Sequence, residues 1–254
     1  PIEPVFVDFN KDMKKGKANG NEILYVQNTE NGRFQLYYRY NYGSLYDKKA
    51  GITNSFLDQL ESENRTLSQI NREMYDLACE YSISFGDKYA RVNISGLSEN
   101  MEKAMAIVED ILNHPKISEE SVQNSISNVL KQRQDAKSRQ NTIFQRMLSY
   151  ASYGKDNMRK YLVTNEEVQK IKAQDIINQI KTMTSQPQRI MYYGDMSLTD
   201  LQKVITDKHS VHPAKKPVKM GKDYDRQAIK DAKVYFVHYD AKQSLCRQLS
   251  TSVP

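Results

Sequence analysis

Residues 80–94 constrain the fold more than any other stretch. Tyr81, Ile83 and Phe85 alternate with Glu80, Ser82 and Ser84, Gly86-Asp87 turns the chain, and Ala90, Val92 and Ile94 alternate back with Arg91 and Asn93. A period of two puts the apolar side chains of both strands on one face, leaving the other to water. Such a hairpin implies an antiparallel sheet with helices packed on one face, an α+β architecture.

The rest of the chain supplies the other parts. EILYVQN (22–28) and RFQLYYRYNYG (33–43), separated by Thr29-Glu30-Asn31-Gly32, are expected to form a second hairpin, because Asn-Gly favours tight turns. A helical pattern follows over about 48–61, with Phe56, Leu57 and Leu60 on one side. Thr66 to Gln69 has the spacing of a capping box and opens a helix carrying Leu67, Ile70, Met74, Leu77 and Ala78. Ser98 is the expected cap of the next helix, whose stripe is Met101, Ala104, Met105, Val108, Ile111 and Leu112. His114-Pro115 ends it, since the residue before proline is pushed out of the helical region.

One long helix is expected from Ser118 to about Ala151. Its polar middle, KQRQDAKSRQN (131–141), projects into solvent or meets another part of a larger assembly. Thr164 to Glu167 is a second capping box, and helix 173–184 carries Ile176, Ile177 and Ile180. From about 187 the pattern restarts with the strand QRIMYYG (188–194), a helix near 197–207, a Pro/Lys loop HPAKKPVKMGK (212–222) and the strand VYFVHYD (234–240). Two strands and a helix do not easily close a core alone. The expectation is therefore a domain over 1–186 and the beginning of a second, truncated α+β domain over 187–254, unless this unit docks onto the first.

Composition excludes several classes. Hydrophobic content is 39%, and no apolar run reaches the length of a membrane span. The start, PIEPVFVDF, has neither a basic nor an apolar leader region, so no targeting signal is expected within it. The net charge of +6 is interspersed rather than clustered, which reads as solvated faces and a loop connector. Arg33, Gln35, Tyr37 and Arg39 share one strand face and offer stacking groups, but half-buried strands ordinarily carry such faces, so no nucleic-acid partner is expected. Cys79 and Cys246 fall outside any metal spacing.

Ser55-Phe56-Leu57-Asp58-Gln59 lies on the helical pattern that follows the strand ending in Gly43. This layout resembles the pitrilysin/insulinase family of inverted-motif zinc peptidases, whose first long helix bears H-x-x-E-H. Ser55 and Gln59 then stand at the two histidine positions and Asp58 at that of the glutamate base. A hydroxyl and a carboxamide are poor zinc ligands. The family's third ligand, a glutamate on the long helix, maps to 124–131, where this chain has no acid. The phrases PVFVDF, LYVQNTENGRFQLYY, NISGLSEN and VLKQRQDAK resemble the motif-less C-terminal half of large bacterial members.

The resemblance implies a metallopeptidase half-domain with ferredoxin-like elements. It also implies no metal or catalytic residue in this chain, with zinc held by a catalytic partner half. That half would lie on the same polypeptide or on a separate homologous subunit, in a bacterial cytoplasm or periplasm. The chain would be inactive alone and would form a wall of the peptide chamber, with Ser55, Asp58 and Gln59 facing peptide or partner. The alternative is a stand-alone scaffold or assembly subunit of the same fold. Other chemistry is thin. His209 and His212 are three apart with no completing ligand, His114 and His238 are single, Asp58 has no activated water to act on, and Ser55 has no histidine partner.

Overall fold

Alternation is realised strand by strand in the computed structural model, which describes residues 8–155, 157–228 and 231–250. The phrase PVFVDF lies outside these residues except for Asp8 and Phe9, as do residues 251–254. The strands are β1 (Lys14–Ala18), β2 (Asn21–Gln27), β3 (Arg33–Tyr40), β5 (Cys79–Phe85), β6 (Ala90–Leu97) and β8 (Gln188–Gly194). They form one sheet of order β1-β2-β8-β3-β6-β5. A two-stranded ribbon pairs β4 (Glu61–Ser62) with β7 (Pro115–Lys116). The helices are α1 (Lys48–Thr53), α2 (Leu67–Asp76), α3 (Met101–Asn113), α4 (Glu119–Ala136), α5 (Gln140–Tyr153), α6 (Asn165–Val168), α7 (Ala173–Thr184) and α8 (Leu198–Lys208).

The fold is α+β, with helices on one face of a mixed sheet. Phe34, Leu36, Tyr38 and Tyr40 of β3 are buried beside Val92, Ile94, Ile190 and Tyr192. Against them pack Met101, Met105 and Val108 of α3, Ile180 and Met183 of α7, and Leu201 and Ile205 of α8. The other face holds the alternate residues, and no helix among the described residues packs on it. A smaller core joins Phe56 to Val122, Ile126 and Val129 of α4 and to Val163, Val168 and Ile176. Both expected capping boxes are present, at Thr66 with Gln69 and at Thr164 with Glu167.

The expected hairpin of β2 with β3 does not form. β8 is inserted between them, parallel to β2 with Ile23 opposite Ile190, and antiparallel to β3 with Tyr38 opposite Ile190. The true hairpin partner of β2 is β1, joined by Asn19 and Gly20, whose φ values of 48° and 77° suit a tight primed turn. Its sequence, KKGKA, carries too few apolar residues to announce a strand, yet lysines suit an edge.

Strand 188–194 therefore does not open a second sheet across a boundary at 187. β8 lies within the main sheet, and Leu201 and Ile205 of α8 join its core. A buried contact fastens the end of α8: His209 Nδ1 lies 2.6 Å from Glu109 Oε1, and the Ser210 N–H donates to Glu109 Oε2 at 3.1 Å.

Other departures have local causes. Ser98 begins a 3-10 turn and caps nothing, and its buried hydroxyl has no partner; Asn100 stands at the α3 N-cap. The long helix is two, broken at Lys137–Arg139 inside the polar stretch, where no core contact holds the ladder. Residues 234–240 are not a strand. Val234 and Phe236 are exposed, while Tyr235 meets Tyr150 of α5 edge-on at 6.1 Å, so this apolar run borders a helix and no sheet edge.

Candidate functional site

The site begins where β3 ends. A Cβ on Gly43 would lie 2.3 Å from the Gly86 carbonyl oxygen, so only glycine lets the chain lie flat on the β5–β6 turn. The Ser44 and Leu45 N–H groups then donate to the carbonyls of Gly86 and Asp87, each at 3.0 Å. The Tyr42 hydroxyl donates to Gln179 Oε1 at 2.8 Å, and Gln179 Nε2 donates to Asp47 Oδ2 at 2.8 Å. Asp47 in turn caps α1 by accepting from the Lys49 N–H at 2.9 Å. Burial, with the nearby Asp47 charge, raises the Tyr42 hydroxyl well above its ordinary range, so it remains a neutral donor. Lys48 pairs with Glu167, and Lys49 with Asp175 at 3.2 Å, tying α1 to α6 and α7.

The pentad does not sit on one helix. α1 stops at Thr53, and Leu57–Gln59 is a single 3-10 turn. Gly51, Thr53, Asn54 and Ser55 are all weak helix formers, which explains the stop. Asn54 supplies the competing interaction: its Nδ2 donates to the Phe85 carbonyl and its Oδ1 accepts from the Phe85 N–H, both at 2.8 Å. Phe56 is drawn into the smaller core with Val122 and Ile126, which also brings α4 alongside. Ser55, Asp58 and Gln59 are left exposed. Residues four apart are close enough to hold one ion when they lie on neighbouring turns of an α-helix, so the geometry that the family's two histidines require is lost together with the ligand chemistry. These residues do not fit a zinc ion. Among the described residues, no group of three or more His, Cys, Asp or Glu is placed to hold a metal.

The rim borders an open strand edge. β5 is the last strand of the sheet, and Asn54 engages Phe85 where an added strand would. By strand alternation, the N–H and C=O groups of Tyr81 and Ile83 also point off the edge. Burial, and then the Asp58 charge, push the Tyr81 hydroxyl above its ordinary range. Sequence reading missed Asn54; the only signal was an asparagine among weak helix formers. His209 and His212 do not form a site, since both ring nitrogens of His209 are engaged, by Glu109 and by Gln188 at 3.1 Å.

A one-sided sheet with a strand–loop–helix rim at its edge is an α+β architecture consistent with a metallopeptidase half-domain. The chain belongs to the insulinase family (peptidase family M16), which it matches over residues 35–166. Solved structures share its fold. The periplasmic protease PqqL from Escherichia coli superposes with a TM-score of 0.73 at 15% identity, over 86% of this chain and 25% of that one. A mutant of the ferredoxin protease FusC, in complex with Arabidopsis ferredoxin, gives 0.72 at 13%, over 89% and 26%. An inactive peptidase M16 domain from Pseudomonas fluorescens gives 0.65 at 16%, over 84% and 52%. The chain thus spans about a quarter of the first two proteins and about half of the third. No curated protein sequence matches it.

Proposed function

We propose that this chain is the non-catalytic half of a zinc metallopeptidase, forming a wall of the peptide chamber and associating with a catalytic half. The observation that carries the reading is the rim itself: at the positions where the family's ligands would stand, Ser55, Asp58 and Gln59 are exposed, unsuited to a metal, and adjacent to the open edge of β5. An extended peptide can add to such an edge through main-chain hydrogen bonds, with alternate side chains meeting the rim. The catalytic half, on the same polypeptide or a separate subunit, would supply the zinc. Similarity to a periplasmic protease supports a bacterial periplasmic location, with the cytoplasm as the other choice.

The test combines the chain with its catalytic half. The chain alone is expected to retain no stoichiometric zinc after dialysis and to cleave no peptide; the two halves together are expected to do so. Ser55→Trp and Gln59→Trp should lower that joint activity by about tenfold while leaving stability within about 0.5 kcal/mol, as expected of exposed positions. A catalytic half that is fully active alone, or that does not associate at micromolar concentration, would instead favour the scaffold role.

A further inference from the structure

The face of the sheet that no helix among the described residues covers carries its own chemistry. The register sets Arg39 opposite Arg91 on one side and opposite Arg189 on the other. Paired residues share a face, so three guanidinium groups lie in one row across β6, β3 and β8, spanning about 10 Å at ordinary strand spacing. Like charges directly opposite one another work against a sheet. One acid answers within the row: Glu22 pairs with Arg189 at 2.6 Å. Among the described residues, neither Arg39 nor Arg91 lies within 4 Å of a carboxylate oxygen. Arg39 is held in place by stacking, its guanidinium carbon 4.3 Å from the centre of the Tyr89 ring, and its Nε has no hydrogen-bond partner.

The same face adds Arg33 of β3 and Lys15 and Lys17 of β1, against Glu22 and Glu80 as the acids on its strands. The Glu80 carboxylate already accepts from Ser95 Oγ at 3.2 Å. The next row, two residues along, places Tyr37 beside Met191 and Leu24, an apolar shelf next to the cations.

We propose that this open face binds an acidic polypeptide segment, its carboxylates on Arg39 and Arg91 and an apolar neighbour on the shelf. Guanidinium forks match carboxylates in pairs, and stacking on Tyr89 fixes one fork in advance. A polyanionic backbone fits less well, because it would have to run past Glu22 and Glu80 and gains its affinity from many phosphate contacts in succession. The proposal is independent of the chamber-wall reading, since it is read on the whole chain without a catalytic half.

Fluorescence anisotropy with a short labelled peptide alternating glutamate and valine tests it. Affinity should fall about tenfold for the glutamine counterpart of the peptide and for Arg91→Gln, and should weaken as salt rises. Arg39→Gln should act likewise, while Arg72→Gln, on the exposed side of α2, should not. Arg91 is exposed, so its variant keeps the test decisive if the Arg39 variant fails to fold by circular dichroism. Absence of binding, equal affinity for the glutamate and glutamine peptides, indifference to Arg91→Gln, or tighter binding of a labelled single-stranded oligonucleotide would each overturn the proposal.

Discussion

Asp110 shows how much one half-buried carboxylate organises. It accepts from Ser62 Oγ at 2.6 Å, Asn64 Nδ2 at 2.5 Å and Arg65 Nη1 at 2.6 Å, fastening the β4–α2 loop to α3. Burial alone would raise its pKa, but these hydrogen bonds and the Arg65 charge outweigh burial and hold it below the usual carboxylate range. A folded value below the unfolded one stabilises the protein above about pH 4 and ceases to do so as pH falls through the folded value. Urea unfolding should therefore show a loss below about pH 4 that Asp110→Asn lacks. At pH 7 that variant should be less stable than the parent by about 1.5–3 kcal/mol, the usual worth of hydrogen bonds to a charged group. At this scale the sequence was readable where the partner is three residues away, as in the boxes at Thr66 and Thr164. It was silent on Asp110, whose partners lie some 45 residues upstream.

Elements differ in how firmly the rest of the molecule holds them. β8 is paired on both sides and buries Ile190 and Tyr192, whereas α5 has no buried residue among those described. Local opening tracks this difference, because segments with few buried contacts separate at low free-energy cost. Hydrogen exchange should be slow across 188–194, as slow as in β3 and β6, and fast across 140–153 and 210–250. Fast exchange throughout 188–254 would restore a separate second unit. The helix stripes of α3 and α7 were legible because a period of 3.6 shows which side is buried. The breaks at 54–56 and 137–139 were not, since continuity of a pattern does not reveal whether a packing surface continues beneath it.

At the scale of the whole molecule, the chain closes its main core with a strand and helix that arrive after residue 187. A chain ending at 187 would leave β2 and β3 without the strand between them and α3 without Leu201 and Ile205, and it should not unfold cooperatively. One ending at 212 should fold with a sharp urea transition. One ending at 208 should be intermediate, because buried Glu109 loses both His209 and the Ser210 N–H, each such loss costing about 1–3 kcal/mol. A sharp transition in the shortest chain would show that β8 is dispensable.

The sequence by itself determined the faces: which residues of β3, β5, β6, α3 and α7 turn inward, where two helices are capped, and that the pentad holds no histidine. These properties belong to residues a few positions apart, and the chain encodes them locally. Tertiary structure alone decided the neighbours. It placed β8 between β2 and β3, bound Asn54 to Phe85 in place of another helical turn, and aligned Arg91, Arg39 and Arg189 in one row. The physical reason is that periodicity specifies a buried face and leaves open which strand lies beside it. That choice is made by the free energy of closing one core with all the strands present.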